Sequence, residues 1–468
     1  MGLRIMISEI HREFERVCDR IGKGPIYPAV TPGEIREHLA ARYTFEGRVE
    51  LEELVGDVEH MLQTWQVQVT HPLYFGLFNP SVTLPSVIAD TLTAMYNPQL
   101  ASWRTSPAAN EIERFTLTWL TGKFGLPDDS IASFTTGGAE ANLSAVLAAL
   151  TRAFPHYGDE GLSSLSAQPV IYLTAEAHHS FSKIAHMTGL GRHALRIVAT
   201  DSQWKMDVAA LERQVAEDGS AGLSPLMVIG TCGTTTAGII DPLPAIGAFC
   251  KARGLWFHVD AAWGGAAILS PALRPHLAGI EGADSITCDA HKWFSVPMGC
   301  GMFFCRHADS IAQAFRVSTS YMPGRPADSA FDPYTNSVQW SRRFIGLKLF
   351  MSLAHYGERG YAAMIERQSR LGELLRKSLT ASGWQVINQS PLPVVCFTRA
   401  GLDPGQFLNG LRDRQVAWMS EARLGGTPVL RACITSFHTT EQDVLGVVDQ
   451  LNLLVPCGDA SFVSPAAS

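Results

Sequence analysis

Between residues 131 and 305 the chain repeats one pattern, a short apolar run followed by a stretch with helical spacing. The runs are 131–135, PVIYLT (169–174), LRIVAT (195–200), LMVIGTC (226–232), LWFHVD (255–260), SITCD (285–289) and GMFFC (301–305). Helical periods occupy 139–154, 207–217 and 243–253, and another covers 108–124. Strands that do not alternate apolar with polar residues are buried on both faces, and the intervening helices supply the cover. This order dictates an α/β fold around a mostly parallel central sheet. Such sheets bind ligands beyond the carboxyl ends of their strands. The rule gathers 136–139, 177–179, 231–235, 260–262 and 289–292 into one neighbourhood.

A chain of 468 residues exceeds one compact core. The patterning divides it into an N-terminal helical segment (1–83), a large domain (84–349) and a small C-terminal α+β domain (350–468). In the first, Ile7, Ile10, Phe14, Val17 and Ile21 have helical spacing. Thr31-Pro32-Gly33-Glu34 reads as a capping box with proline at the first helical position. A second amphipathic helix carries Leu51, Leu54, Val55, Val58, Met61, Leu62 and Trp65 on one face. Those faces need a partner, either the main domain or a second subunit. Residues 318–338 have neither period, as a lid or binding loop would. SRRFIGLKLFMSLAHYG (341–357) then begins a long helix. PVVCFT and VLRACIT supply strands of the small domain, and a last helix opens at Thr440. The tail from about 456 is expected to be disordered.

Net charge is −7 without blocks of like charge, which argues against nucleic-acid or membrane-surface partners. No apolar run is long enough to span a bilayer. Glu9 and Glu13 come too early for a signal-peptide core, and Met6 stands where a myristoylation signal needs Ser or Thr. Nine cysteines without CxxC spacing, mostly inside apolar runs, predict reduced thiols in a cytoplasmic protein.

The strand ends carry the chemistry. Lys292 is one of only eight lysines against 29 arginines. It stands among Trp293, Phe294, Val296, Pro297 and Met298. An ammonium held among apolar side chains is costly to keep charged and becomes an imine-forming nucleophile. A lysine can also bury its stem and keep its head in water. Asp260 ends the strand in HVDAAWGG, where small residues leave room for a flat ring; an aspartate there can also cap a turn. TTGGAEAN (135–142) offers backbone N–H groups at a helix N-terminus, a cradle for phosphate or simply a tight turn. Thr234 lies in a run of hydroxyls at another strand end. Gly189, Gly191 and Ala194 match a dinucleotide fingerprint by letter but precede their strand. The adjacent His178 and His179 point apart in an extended chain, and no zinc-ligand spacing occurs, so no metal is expected.

A small-residue loop, then histidine, then the Thr run, HVDAA and DAHKW, in this order, resembles the group II pyridoxal-phosphate-dependent amino-acid decarboxylases, among them the aromatic-amino-acid, glutamate and diaminobutyrate enzymes. The likeness runs from THPLYFG (70–76) through SWRTSPAANEIE (102–113) to VLRACIT (429–435). It implies the fold-type I, aspartate-aminotransferase-like architecture and a homodimer with active sites at the interface. It further implies that Lys292 bonds pyridoxal 5'-phosphate and that Asp260 faces the ring nitrogen. Ala262 would lie against the ring and His178 would stack on its other face. Gly138 and Ala139 would hold phosphate, with His291 and Asp289 beside it; many relatives have Asn where this chain has Asp289. Tyr321 resembles the tyrosine that returns a proton to Cα. Leu77, Phe78, Ala101 and Trp103 fall in segments that line the family's side-chain pocket, and Arg431 is a candidate for a substrate acid group. Leu77 replaces the glutamine of glutamate decarboxylases, and Ala101 replaces a large aromatic of the aromatic decarboxylases. The implied reaction releases carbon dioxide and an amine from an aromatic or bulky L-amino acid. The alternatives are an aldehyde synthase or transaminase on the same scaffold, and a non-catalytic protein that kept the fold.

Overall fold

The computed structural model describes residues 23–317 and 332–455, with isolated positions between Ser8 and Arg20. Seven strands form the main sheet: β1 (Ile131–Thr135), β2 (Pro169–Thr174), β3 (Leu195–Val198), β4 (Ser224–Thr231), β5 (Trp256–Asp260), β6 (Ser285–Asp289) and β7 (Gly301–Cys305). Their order is β1-β7-β6-β5-β4-β2-β3. The run from β6 to β3 is parallel, and β7 is antiparallel to both of its neighbours. Side chains along β7 go alternately to two cores, Met302 and Phe304 to one face and Phe303 and Cys305 to the other. This two-sided burial is why the strands read as unbroken apolar runs.

Register lines up one edge of the sheet. Thr231 pairs with Asp260, Asp260 with Thr287, and Gly301 with both Asp289 and Thr135. Gly301 admits the crowding there: a Cβ would stand 2.5 Å from Thr135 Oγ1 and 2.6 Å from Gly137 Cα. The helix Gly138–Ala153 starts at this edge and lays Ala141, Ala145 and Ala149 on the second core.

A second, antiparallel sheet has the order β10-β11-β9-β8, from β8 (Gln385–Val386), β9 (Val394–Thr398), β10 (Ser420–Leu424) and β11 (Thr427–Cys433). It holds a third core with the helices Pro404–Asp413 and Glu441–Leu454. The helical stretch Leu347–Ala381 links the two sheets. It is not one helix, because Gly357 takes φ 66° and ψ 172° and breaks it into two. All seven cysteines among the described residues are free and buried. No helix among the described residues is long and apolar enough to cross a membrane.

At the N-terminus, the helix Pro32–Arg42 opens with the Thr31/Glu34 capping box. It pairs with the helix Leu51–Thr64 through His38, Arg42 and Tyr43 around Asp57. Neither helix contributes a buried residue. The expected helix over residues 7–21 lies largely outside the described residues, as does the tail from 456.

Candidate active site

Most of the apolar residues next to Lys292 in sequence turn away from its cavity, and of the five between 293 and 298 only Met298 lines it. Trp293, Phe294 and Val296 turn into the core. Trp293 Nε1 donates to Gln368 Oε1 at 2.5 Å, and the Phe294 carbonyl accepts from Tyr361 Oη at 3.1 Å. Ser295, at φ 56°, reverses the chain, and its carbonyl accepts from Thr83 N. The buried Lys348 donates to the carbonyls of Pro297 and Met298. These ties fix the backbone on either side of Lys292 and leave its amine in a cavity, where Nζ lies 3.0 Å from Asp289 Oδ2. The apolar neighbours differ from those expected: Trp293, Phe294 and Val296 point into the core, while Ala139, Ala262, Trp263 and Met298 share the cavity with the lysine.

The cavity, about 240 Å³, is lined by Gly137, Gly138, Ala139, His178, Asp260 and Lys292 among others. The buried Asp260 accepts from Ala262 N at Oδ1 and from Asn142 Nδ2 at Oδ2, both at 3.1 Å. His178 Nδ1 accepts from Ser180 N at 3.2 Å, which places its proton on Nε2. Lost solvation holds the His178 imidazole below the ordinary histidine range, against the pull of Asp260. Burial lowers His291 in the same way. His291 Nδ1 accepts from Cys300 N, and Nε2 lies 3.7 Å from Asp289 Oδ2.

Gly138 opens a helix at the cavity's edge, and a Cβ there would meet Asp289 Oδ2 at 3.0 Å and Ala262 Cβ at 3.4 Å. Only a glycine leaves this approach free. Thr231 Oγ1, Trp263 Nε1 and Asp289 Oδ1, buried atoms of cavity-lining residues, have no hydrogen-bond partner. A helix N-terminus, an amine, a strand-end carboxylate and an imidazole around one small cavity fit a phosphorylated aromatic aldehyde such as pyridoxal phosphate.

Other expected residues lie elsewhere. Thr234 is buried, and its Oγ1 accepts from Ile239 N inside the turn; Thr231 and Thr235 line the cavity instead. Phe78 stacks on Trp263 with ring centroids 4.4 Å apart, and Lys292 Nζ lies 6.0 Å from its ring. The Arg431 guanidinium covers the same ring at 4.9 Å. It donates to the carbonyls of Gly76, Thr235 and Thr236, and its buried Nη2 has no partner. Leu77 is half exposed, while Ala101 is buried and Trp103 holds Asp332 and Glu111. None of these three lines the cavity. Tyr321 lies outside the described residues. Sequence reasoning passed over Asn142 and His258; the available signal was a histidine two positions before Asp260, on the same face of a buried strand.

Comparison with known proteins agrees with this chemistry. The model of the pyridoxal-dependent decarboxylase conserved domain matches residues 32–400. A tryptophan decarboxylase 2 of Oryza sativa subsp. japonica is 29% identical over 457 residues, covering 93% of this chain and 91% of the relative. The aromatic-L-amino-acid decarboxylase of Bacillus atrophaeus is 27% identical over 401 residues, 82% of each chain. Among solved structures, Oryza sativa TDC with PLP and tryptamine superposes with a TM-score of 0.90 at 23% identity, covering 97% of this chain and 98% of that one. The fold is fold-type I, the cofactor is pyridoxal phosphate and the activity is that of a carboxy-lyase. With the family model spanning most of its length, the chain belongs to the pyridoxal-dependent decarboxylases.

Proposed function

We propose that this chain is a cytoplasmic homodimer that decarboxylates an aromatic L-amino acid to its amine and carbon dioxide. The observation that carries the reading is the single cavity shared by Lys292, Asp260, His178 and the N-terminus of Gly138–Ala153. The substrate class is supported by relatives named for tryptophan, tyrosine and aromatic amino acids. The aromatic pair Phe78 and Trp263 beside the amine is in keeping with it.

Bound pyridoxal phosphate supplies an electron sink for the pair left on Cα when carbon dioxide departs. The protein's part is attachment, orientation and proton handling. Lys292 Nζ is the amine that would hold the cofactor covalently and yield its place to the substrate amine. Asp260, held at both oxygens by N–H donors, presents an acceptor to a protonated ring nitrogen. His178, its proton fixed on Nε2, would lie over one face of the ring and Ala262 against the other. Gly138 and Ala139 offer backbone N–H groups to phosphate, aided by the helix dipole. His291 and Asp289 would flank that side, and Asp289 pairs with Lys292 while its amine is free. The unpartnered Arg431 Nη2 is assigned to an acidic group of the substrate. Tyr321 is assigned delivery of a proton to Cα. Leu77, Ala101 and Trp103, away from this cavity, are assigned to the side-chain pocket of the partner's site across the dimer.

The test is a screen of L-amino acids for carbon dioxide release with product analysis. Aromatic substrates should give amine in equal amount to carbon dioxide. Aldehyde with ammonia and hydrogen peroxide would make the chain an aldehyde synthase, as one relative, the phenylacetaldehyde synthase of Arabidopsis thaliana, is named.

A further inference from the structure

Behind Asp260 and its donor Asn142 runs a buried chain of polar side chains. Trp256 Nε1 donates to Ser285 Oγ at 2.9 Å, and Ser285 Oγ lies 2.8 Å from His258 Nδ1. His258 Nε2 lies 3.1 Å from Asn142 Oδ1, which also accepts from Thr287 Oγ1 at 2.6 Å. Asn142 Nδ2 donates to Asp260 Oδ2 at 3.1 Å and to Ser180 Oγ at 3.3 Å. Asn142, His258, Thr287 and Ser285 are each at most 1% exposed, so water does not complete these contacts.

The direction of the chain is set from the Asp260 end. A flipped Asn142 would set its oxygen against the Asp260 carboxylate, so Nδ2 faces Asp260 and Oδ1 faces His258. His258 then carries its proton on Nε2 and donates to the Asn142 oxygen. Its Nδ1 is left to accept from the Ser285 hydroxyl, whose oxygen accepts from the indole N–H of Trp256. Burial pushes His258 down to about 4, so the single-proton imidazole the chain requires is the form present at neutral pH.

We propose that Asn142 is a positioning residue for Asp260, with its amide locked by His258 and Thr287 so that the carboxylate is aimed at the cofactor's ring nitrogen. Asn142 lies one turn into the helix whose first residues face the phosphate side. One element therefore sets both ends of the cofactor. The inference rests on the proposed pairing of Asp260 with the ring nitrogen.

The test compares two probes binding to apoenzyme: pyridoxal phosphate, and its analogue with C–H in place of the ring nitrogen. Dissociation constants are read by absorbance and fluorescence, without turnover. Wild type should prefer the nitrogen-containing probe, and Asp260→Ala should abolish that preference. Asn142→Ala should cut it by about tenfold, the loss of one charge-assisted hydrogen bond, while affinity for the analogue changes little. Asn142→Leu, which fills the space without a donor, should behave alike and separates the lost donor from a cavity. Melting of both apo variants near the wild-type temperature establishes that they fold; if one does not, the other carries the comparison. An Asn142 variant that keeps the wild-type preference, or weakens both probes equally, overturns the inference while leaving Asp260 in place. A wild type without preference overturns the Asp260 pairing, and the inference with it.

Discussion

Lys292 reaches Asp289 at 3.0 Å, so bonding a carbonyl to Nζ means giving up that partner. Asp289 is then a carboxylate beside the phosphate cradle, with Oδ1 already lacking a donor. A phosphate dianion has no hydrogen to donate to a carboxylate, and two anions at close range repel. Asp289→Asn should therefore tighten binding of pyridoxal phosphate to apoenzyme, by about tenfold for a like charge removed from a buried site. Titration followed by cofactor fluorescence measures it, and weakened binding would instead make Asp289 a phosphate ligand. At this scale the sequence was legible where chemistry clusters at strand ends. Asp260 and Lys292 stood out because a charged residue among apolar ones has few structural excuses. Asn142 did not, since nothing in a helical stretch tells which polar residue turns toward a carboxylate more than a hundred positions away. The surroundings of Lys292 were misread for a related reason: adjacency in a tight turn sends neighbouring side chains in opposite directions.

Strands and helices were more legible than contacts. The limits of β1, β2, β6 and β7 match the runs read from the sequence, and β2, β6 and β7 are buried along their whole length. The break at Gly357 escaped notice since a glycine within a helical period is often tolerated. The segment after the expected lid was opaque because its fixing contact is an ion pair between distant residues. Arg342 Nη2 donates to Glu113 Oε2 at 2.6 Å, both side chains 4% exposed, and Glu113 Oε1 accepts from Gly346 N. Burial raises the Glu113 carboxyl even though the guanidinium beside it draws it down. The pair clamps 342–346 onto the helix Pro107–Phe124 and the edge of β1, since Arg342 also donates to the Phe134 carbonyl. Glu113→Ala leaves the guanidinium buried without its counter-charge and should destabilise the fold by about 3–5 kcal/mol. Denaturant unfolding of apoenzyme measures the loss; a change under 1 kcal/mol, on the order of a surface pair, would mean the site admits water.

The whole molecule poses the question of what covers its N-terminal helices. Leu51 is 62% exposed and Leu62 is 52% exposed among the described residues, on a helix whose Glu59 pairs with Arg16 and Arg20. In the proposed dimer a second subunit, one of the two partners open from the sequence, would cover that helix's apolar face. The proposed dimer also gives Ala101 and Trp103 a role, since neither lines the cavity of its own chain. If sites are shared between subunits, lesions in different subunits complement. Lys292→Ala removes attachment, and Tyr321→Phe should divert product from amine to aldehyde. Suppose each site takes Lys292 from one subunit and Tyr321 from the other. A heterodimer of the two variants then concentrates both lesions in one site and leaves the second intact. Heterodimers purified through two different tags should form amine at about half the wild-type rate, one working site of two in a twofold assembly. If each subunit supplies both residues to its own site, no intact site exists and amine formation stays at the level of the Tyr321→Phe homodimer or below. The assay reads amine alone, so aldehyde from the tyrosine variant does not enter it. The same heterodimers built with Lys292→Ala and Asp260→Ala should fail to complement, because both residues lie in the cavity of one chain. Complementation by that second pair would refute the shared-site arrangement, because it requires Lys292 and Asp260 to act from different subunits.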